Sequence, residues 1–188
     1  MTIKTIITEP NEILRQVSKP VQSVGNEERK LMDDMLETMY AANGIGLAAI
    51  QIGIPKRIIV MDISKDGKKN PMYFVNPTIK NKDKEKTTYE EGCLSVPNYF
   101  AEVDRPKYCE VEYLDYNGEN KILEADGLLA TCIQHEMDHL EGILFIDYLS
   151  KLKKTMIVKK LSKRKNPPDR IICLLYTSPS PRDATLPR

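Results

Sequence analysis

The sequence predicts an α+β fold: antiparallel β structure in the middle of the chain, with helices before and after it. Three observations carry this. Apolar residues recur at helical spacing over 26–42, strand-like runs and a strong hairpin turn fill 57–126, and helical spacing returns over 128–141 and again from 150 to about 165.

In the first segment Leu31, Met35, Leu36, Met39 and Tyr40 alternate with charges between Asn26 and Ala42, the pattern of a helix packed on a core. GIGLAAIQIG, Gly44 to Gly53, reads as a helix C-cap followed by a tight loop into a strand. Beyond Pro55 the β-branched run RIIVMD (57–62) is a buried strand, and MYFVNP (72–77) and YCEVEYLD (108–115) are further strands. YEEGCLSVP (89–97) reads as an irregular stretch between strands. Asn117-Gly118 before KILEAD is a hairpin turn, since both positions favour positive φ. Leu128, Leu129, Ile133, Leu140 and Ile143 mark the helix from Leu128 to Glu141 as apolar and central, with Gly142 as its stop. A last helix runs from Ser150 to about Lys165, with Leu152, Met156 and Leu161 near one side, and Pro167-Pro168 follow it.

A chain of 188 residues with 28 Lys+Arg against 27 Asp+Glu is long enough to bury a core, and its near-neutral balance gives no global case for nucleic-acid or membrane binding. No segment has the roughly 18 apolar residues needed to cross a bilayer, and MTIKTIITEPNE lacks a secretory core, so a cytoplasmic location is expected. Cysteines at 93, 109, 132 and 173 form no CxxC pair, which in a reducing compartment implies free thiols or metal ligands. CLLYTSPSPRD, from 173, resembles the translation of a sequencing-library adapter; residues 1–172 are therefore read as a single domain and 173–188 as a non-native tail.

The only two histidines, in QHEMDH (134–139), stand four apart. On a helix His135 and His139 then share a face and can aim at one cation, while Glu136, about 100° around, can reach a water there. H-E-x-x-H is a zinc-hydrolase arrangement, although solvated surface histidines give the same string by chance. A catalytic site of this kind needs a third protein ligand. Cys132 lies three residues before His135, but its ~10 Å of helix rise from His139 favours a core role. Cys109 falls in a strand alternation. Cys93, following a glycine outside the helix, is the leading candidate. In GIGLAAIQIG the functional reading is a backbone of close approach lining a cleft, with the Gln51 amide as a donor toward substrate; a nucleotide-binding reading is weak, because the third glycine is missing.

G-I-G-L-A-A-I-Q (44–51), E-G-C-L-S (91–95) and Q-H-E-M-D-H (134–139) together resemble the three signature motifs of the peptide deformylases, bacterial type. The similarity continues through DDMLETMYA (33–41), LEADGLLA (123–130) and LFIDYLS (144–150), and covers essentially residues 3–165. The resemblance implies antiparallel β-sheets around a central helix carrying H-E-x-x-H, plus a C-terminal helix. It implies one divalent metal on Cys93, His135 and His139, natively Fe²⁺ with Zn²⁺ or Ni²⁺ as alternatives. Glu136 would be general base and then acid, and Gln51 with the Leu94 backbone N–H would hold the oxyanion. The implied reaction is hydrolysis of the formyl group from formyl-methionine of newly synthesised polypeptides, releasing formate.

Gly44, Ile45, Gly46, Leu128 and Cys132 would then meet substrate. Ile45, Leu128 and Cys132 would line the methionine pocket, although ordinary core packing accounts for each of them equally well, and Gly46 would present backbone groups to the peptide. The partners expected are formylated nascent peptides, with weak ribosome docking through the basic helix SKLKKTMIVKKLSKRK (150–165), no sequence-specific nucleic acid, and a monomeric state. Phe100 departs from the pattern, in a loop where relatives vary and carry arginine in some cases, which leaves side-chain preference beyond methionine open. Two other classes of function compete. A general H-E-x-x-H protease would cleave unformylated peptides internally, and a nascent-chain or ribosome-binding module with a structural metal would need a fourth protein ligand.

Overall fold

A run of four apolar residues in a strand cannot face water on either side, and 58–61 form a strand with both faces buried. This is β2 (Ile58–Met61) in the computed structural model, which describes residues 2–64 and 67–163. With β1 (Gly46–Ala48), β3 (Met72–Lys82), β6 (Tyr108–Leu114) and β7 (Asn120–Asp126) it makes an antiparallel sheet in the order β1-β2-β3-β6-β7. Alternate residues of β2 serve two cores. Ile58 and Val60 pack with Met32, Met35 and Met39 of α1 (Asn26–Ala41), whereas Ile59 and Met61 pack with Ala130, Cys132 and Ile133 of α2 (Gly127–Leu140).

The remaining strands, β4 (Lys86–Cys93) and β5 (Val96–Pro106), pair only with each other, as a separate two-stranded ribbon. Cys93, Val96 and Val103 of the ribbon pack with Leu144, Phe145 and Ile146 and with Leu161 of α3 (Lys151–Ser162). Helix α2 thus contacts the sheet on one side and the ribbon on the other, and residues 130–136, 139 and 140 are all buried. The expected α+β architecture, antiparallel sheets around a central H-E-x-x-H helix with a C-terminal helix, is present.

Several local expectations are corrected. The segment after α1 is not a plain loop: Gly46–Ala48 is a strand, and a 3₁₀ turn over Ala49–Ile52 closes on Gly53 at φ +83°. YEEGCLSVP is no irregular stretch but the two arms of the ribbon, which strand periodicity missed because Glu90, Glu91 and Gly92 interrupt the apolar alternation. The Asn117-Gly118 hairpin exists, but only Gly118 has positive φ, at +84°. The Asp115 carboxylate accepts the Asn117 and Glu119 N–H groups and Asp115 N–H donates to the Glu119 carbonyl, so the loop has three residues with a left-handed glycine last. In α3 the buried face carries Leu161 with Ile157 and Val158, while Leu152 and Met156 are 72 % and 50 % exposed.

Cys93, Cys109 and Cys132 are buried and form no disulfide among the described residues, and burial alone raises the Cys109 thiol to about 11. Cys173, the domain limit at 172, the tail 173–188 and the last expected turn of α3 lie outside the described residues. Among those described, no helix is long and apolar enough to cross a membrane.

One buried carboxylate fastens the start of the chain to α1. Asp34 accepts the Thr2 N–H at 2.7 Å and pairs with Lys30 at 2.9 Å, and these contacts hold its pKa down at about 2 against the cost of burial. Because the folded-state pKa is depressed, this contribution is present above the unfolded carboxylate pKa and is lost as pH falls through about 2. Asp34→Asn is expected to destabilise by about 1–3 kcal/mol at pH 7 in urea denaturation, with the penalty shrinking as pH is lowered from about 5 to 3.

Candidate metal centre

Four residues apart on α2, His135 and His139 lie one above the other on the side facing the ribbon, their ring centroids 5.0 Å apart. Opposite them the ribbon register breaks. Gly92 pairs with Phe100 but Cys93 pairs with Val96, and this irregularity delivers the last residue of β4 to the helix. Cys93 Sγ comes to 3.2 Å from His139 Nε2, and the donor atoms of Cys93, His135 and His139 all lie within 4.8 Å of one another. All three residues are buried. Cys132, on the sheet side of α2 in the core cluster, does not join them.

Behind His135 runs a chain of polar contacts. Its Nδ1 is 2.8 Å from Glu91 Oε2, which fixes that nitrogen and leaves Nε2 for the cluster. Glu91 is fully buried and takes two bonds from Arg105, at 2.5 Å from Nε and 3.0 Å from Nη2. Burial would raise the Glu91 pKa, but His135 and Arg105 together hold it below the ordinary carboxylate value. Arg105 Nη1 reaches Asp138 at 2.8 Å, and the Tyr148 hydroxyl donates to the same carboxylate at 2.8 Å.

Glu136 is placed differently. Burial, reinforced by the Glu91 charge, raises its pKa to about 7 against the opposing pull of His135 and Arg105. Its Oε2 is buried with no hydrogen-bond partner among the described residues. Gly46 of β1 lies directly against this carboxylate, where a Cβ would collide with Oε1. Gln51 is held at both ends of its amide: Oε1 accepts the Ala48 N–H at 2.8 Å, and Nε2 donates to Ser95 Oγ at 3.1 Å and reaches Cys93 Sγ at 3.5 Å.

One small cleft brings together Ile45, Gly46, Gln51, Cys93, Leu94, Cys132, His135 and Glu136, with Gly92 added by the structure. His139 sits beneath it, fully buried. Gly44 and Leu128 do not line this cleft. Gly44 packs behind Leu94, and Leu128 is half-buried one helical turn before Cys132. Sequence reasoning missed Glu91, Arg105, Asp138, Tyr148 and Ser95. A signal for the ion pair existed: Arg105 is the only arginine between residues 58 and 126, and a buried glutamate beside the glycine and cysteine of E-G-C needs a bidentate cation.

A thiol and two imidazoles converging in a buried pocket suit a divalent transition metal of borderline softness, and the unpartnered Glu136 oxygen suits a water beside it. A helix with two donors and an adjacent glutamate, a third donor from a neighbouring strand, and a preorganised amide define a metal-dependent hydrolase. The polypeptide deformylase family profile matches residues 3–155. The chain is 75 % identical over 167 residues to the peptide deformylase of Pelagibacter ubique, covering 88 % of this chain and 97 % of that one. It is 56 % identical over 164 residues to that of Rhizobium meliloti, covering 87 % and 94 %. The crystal structure of peptide deformylase from Ehrlichia chaffeensis in complex with actinonin superposes with a TM-score of 0.85 at 44 % identity, covering 89 % of this chain and all of that one. The chain belongs to the polypeptide deformylase family: it is a hydrolase that removes the formyl group from the N-terminal methionine of newly made polypeptides.

The contact between Gly46 and Glu136 gives a test of the site. Gly46→Ala is expected to push the carboxylate aside and lower kcat for formate release by ~10²-fold or more, with the far-ultraviolet circular dichroism spectrum unchanged.

Proposed function

We propose that deformylation by this chain uses Cys93, His135 and His139 to hold one divalent metal, Glu136 to move the proton, and Gln51 with the Leu94 backbone N–H to receive the developing oxyanion. The observation that carries this reading is the convergence of the three donor atoms within 4.8 Å, with Glu136 and Gln51 on the same cleft.

The cation would supply a water of lowered pKa and a positive charge near the reacting carbonyl. Glu136, raised to about 7, can accept a proton from the attacking water near neutral pH and pass it to the leaving amine nitrogen. One C–N bond breaks and one C–O bond forms, giving formate and a free methionine amine. Gln51 Nε2, aimed from an amide whose other end is fixed by Ala48 N–H, is the type of donor whose loss costs about 3 kcal/mol of transition-state stabilisation.

Ile45 and Cys132 in the cleft, with Leu128 a turn away, form the apolar receptor for the methionine side chain. Gly46 keeps the start of β1 free of a side chain on the approach, and its backbone pairs with the extended peptide, while Gly44 lets Leu94 pack close behind the cleft. We take Fe²⁺ as the native metal on the strength of the thiolate donor, with Zn²⁺ or Ni²⁺ able to replace it. Intrinsic affinity favours zinc, so availability decides. Oxygen-sensitive activity follows, since Cys93 can be oxidised. The chain acts as a monomer in the cytoplasm.

Formate release from a formyl-Met tripeptide, measured anaerobically with protein loaded in turn with Fe²⁺, Ni²⁺ and Zn²⁺, tests the reading. Metal-dependent release that falls at least ~10²–10⁴-fold in Glu136→Ala is the expected result; folded, metal-bound protein that releases no formate would sink it. Helix α3 contains Lys151, Lys153, Lys154, Lys159 and Lys160 and no acidic residue, which supports weak docking to the ribosome. Co-sedimentation with ribosomes is expected to fall steeply between ~50 and ~200 mM salt; binding insensitive to salt would count against it.

A further inference from the structure

Tyr148 follows α2 in a 3₁₀ turn, Phe145–Tyr148, and is 51 % exposed, yet it makes two polar contacts behind the metal ligands. Its hydroxyl donates to Asp138 Oδ2 at 2.8 Å, and its ring lies 5.1 Å from the guanidinium carbon of Arg105. The same Asp138 oxygen accepts Arg105 Nη1 at 2.8 Å. The other two donors of Arg105 grip Glu91, and Glu91 Oε2 sits 2.8 Å from His135 Nδ1. Three groups in series, Asp138, Arg105 and Glu91, connect a surface phenol to a ligand ring.

On this side the chain of contacts borders water. Tyr148, Arg105 and Asp138 line a surface groove together with Lys82, Lys86 and Gln134. The groove carries charges of both signs, with Asp83, Asp104 and Glu141 beside the lysines. Yet Arg105 itself is only 4 % exposed. The ring over the guanidinium and the hydroxyl on Asp138 are what fix the outer end of the ion pair.

We propose that Tyr148 is a positioning residue for the metal site: through Asp138 and Arg105 it fixes the Glu91 carboxylate that orients the His135 ring. The proposal rests on His135 being a ligand. Tyr148 lies outside both the cleft and the donor cluster, so its hydroxyl governs how firmly the ligand ring is held and not how peptide binds.

Full-length protein loaded with Ni²⁺ tests this by its rate of metal loss to a chelator. Tyr148→Phe keeps the ring over Arg105 and removes only the hydroxyl; it is expected to speed Ni²⁺ loss ~3–10-fold, and Asp138→Asn ~10–100-fold. The double variant should lose metal no faster than Asp138→Asn alone, because both act through one chain of contacts. In the Co²⁺-loaded protein the thiolate charge-transfer band should shift in Tyr148→Phe, with kcat lowered and KM for the formyl-Met peptide unchanged. Wild-type metal retention in Tyr148→Phe, or additive effects in the double variant, would overturn the proposal. Wild-type protein that holds neither Ni²⁺ nor Co²⁺ would overturn the ligand assignment, and the proposal with it.

Discussion

The fully buried carboxylate of Glu91 is the point on which the site depends. An isolated charge there would cost several kcal/mol, and what offsets that cost is geometry: two parallel bonds from Arg105 and one contact to His135. These partners belong to different parts of the fold. Glu91 and Arg105 are on the two arms of the ribbon, and His135 and Asp138 are on α2. The ribbon shares no strand pairing with the five-stranded sheet; backbone bonds hold its two ends, Lys107 N–H to the Glu85 carbonyl at the base and Glu9 N–H to the Ser95 carbonyl at the tip, and between them side chains set its position on α2. The apolar contacts of Val96 and Val103 with Phe145 press it in place, and the ion pair gives it a register against the helix. Cys93 is therefore positioned by the same interaction that orients His135.

Around that anchor two polar side chains are prepared by opposite means. Gln51 is satisfied at both ends of its amide, so its donor points at the cleft without reorganisation. Glu136 has one buried oxygen with no partner among the described residues, and burial raises its pKa to about 7.

Periodicity made the core legible, because α1, β2 and α2 bury residues at the spacing their sequence displays. The convergence of the three donor side chains was legible too: i and i+4 on an apolar helix bring His135 and His139 together, and only Cys93 lay where a chain could approach that helix from the side. Less could be read where a long-range register decides the outcome. Lys86 to Pro106 is a ribbon that buries Glu91, Ser95 and Arg105 among its apolar residues, so its alternation of Thr, Glu and Gly does not resemble a half-buried strand. The grip of Arg105 on Glu91 follows from that ribbon, and neither residue announces it alone. Leu152 and Met156 mislead for the opposite reason: they have helical spacing, yet α3 buries Leu161 and Ile157 instead, because the ribbon and Phe145 lie on that side.

Strand β1 ends the five-stranded sheet, paired with β2 on one side only. Open edges usually invite other chains to add to the sheet, and proteins limit the hazard by keeping such edges short. Here the edge is three residues long, its side chains are buried, and its first residue is the glycine beside Glu136. Three residues offer too little ladder for self-association but, on the proposed function, enough for the first few residues of an extended peptide. Recognition through main-chain N–H and C=O groups is blind to side chains. New polypeptides differ in everything after their first residue, and an edge of this kind gives breadth of substrate without a separate pocket for each sequence.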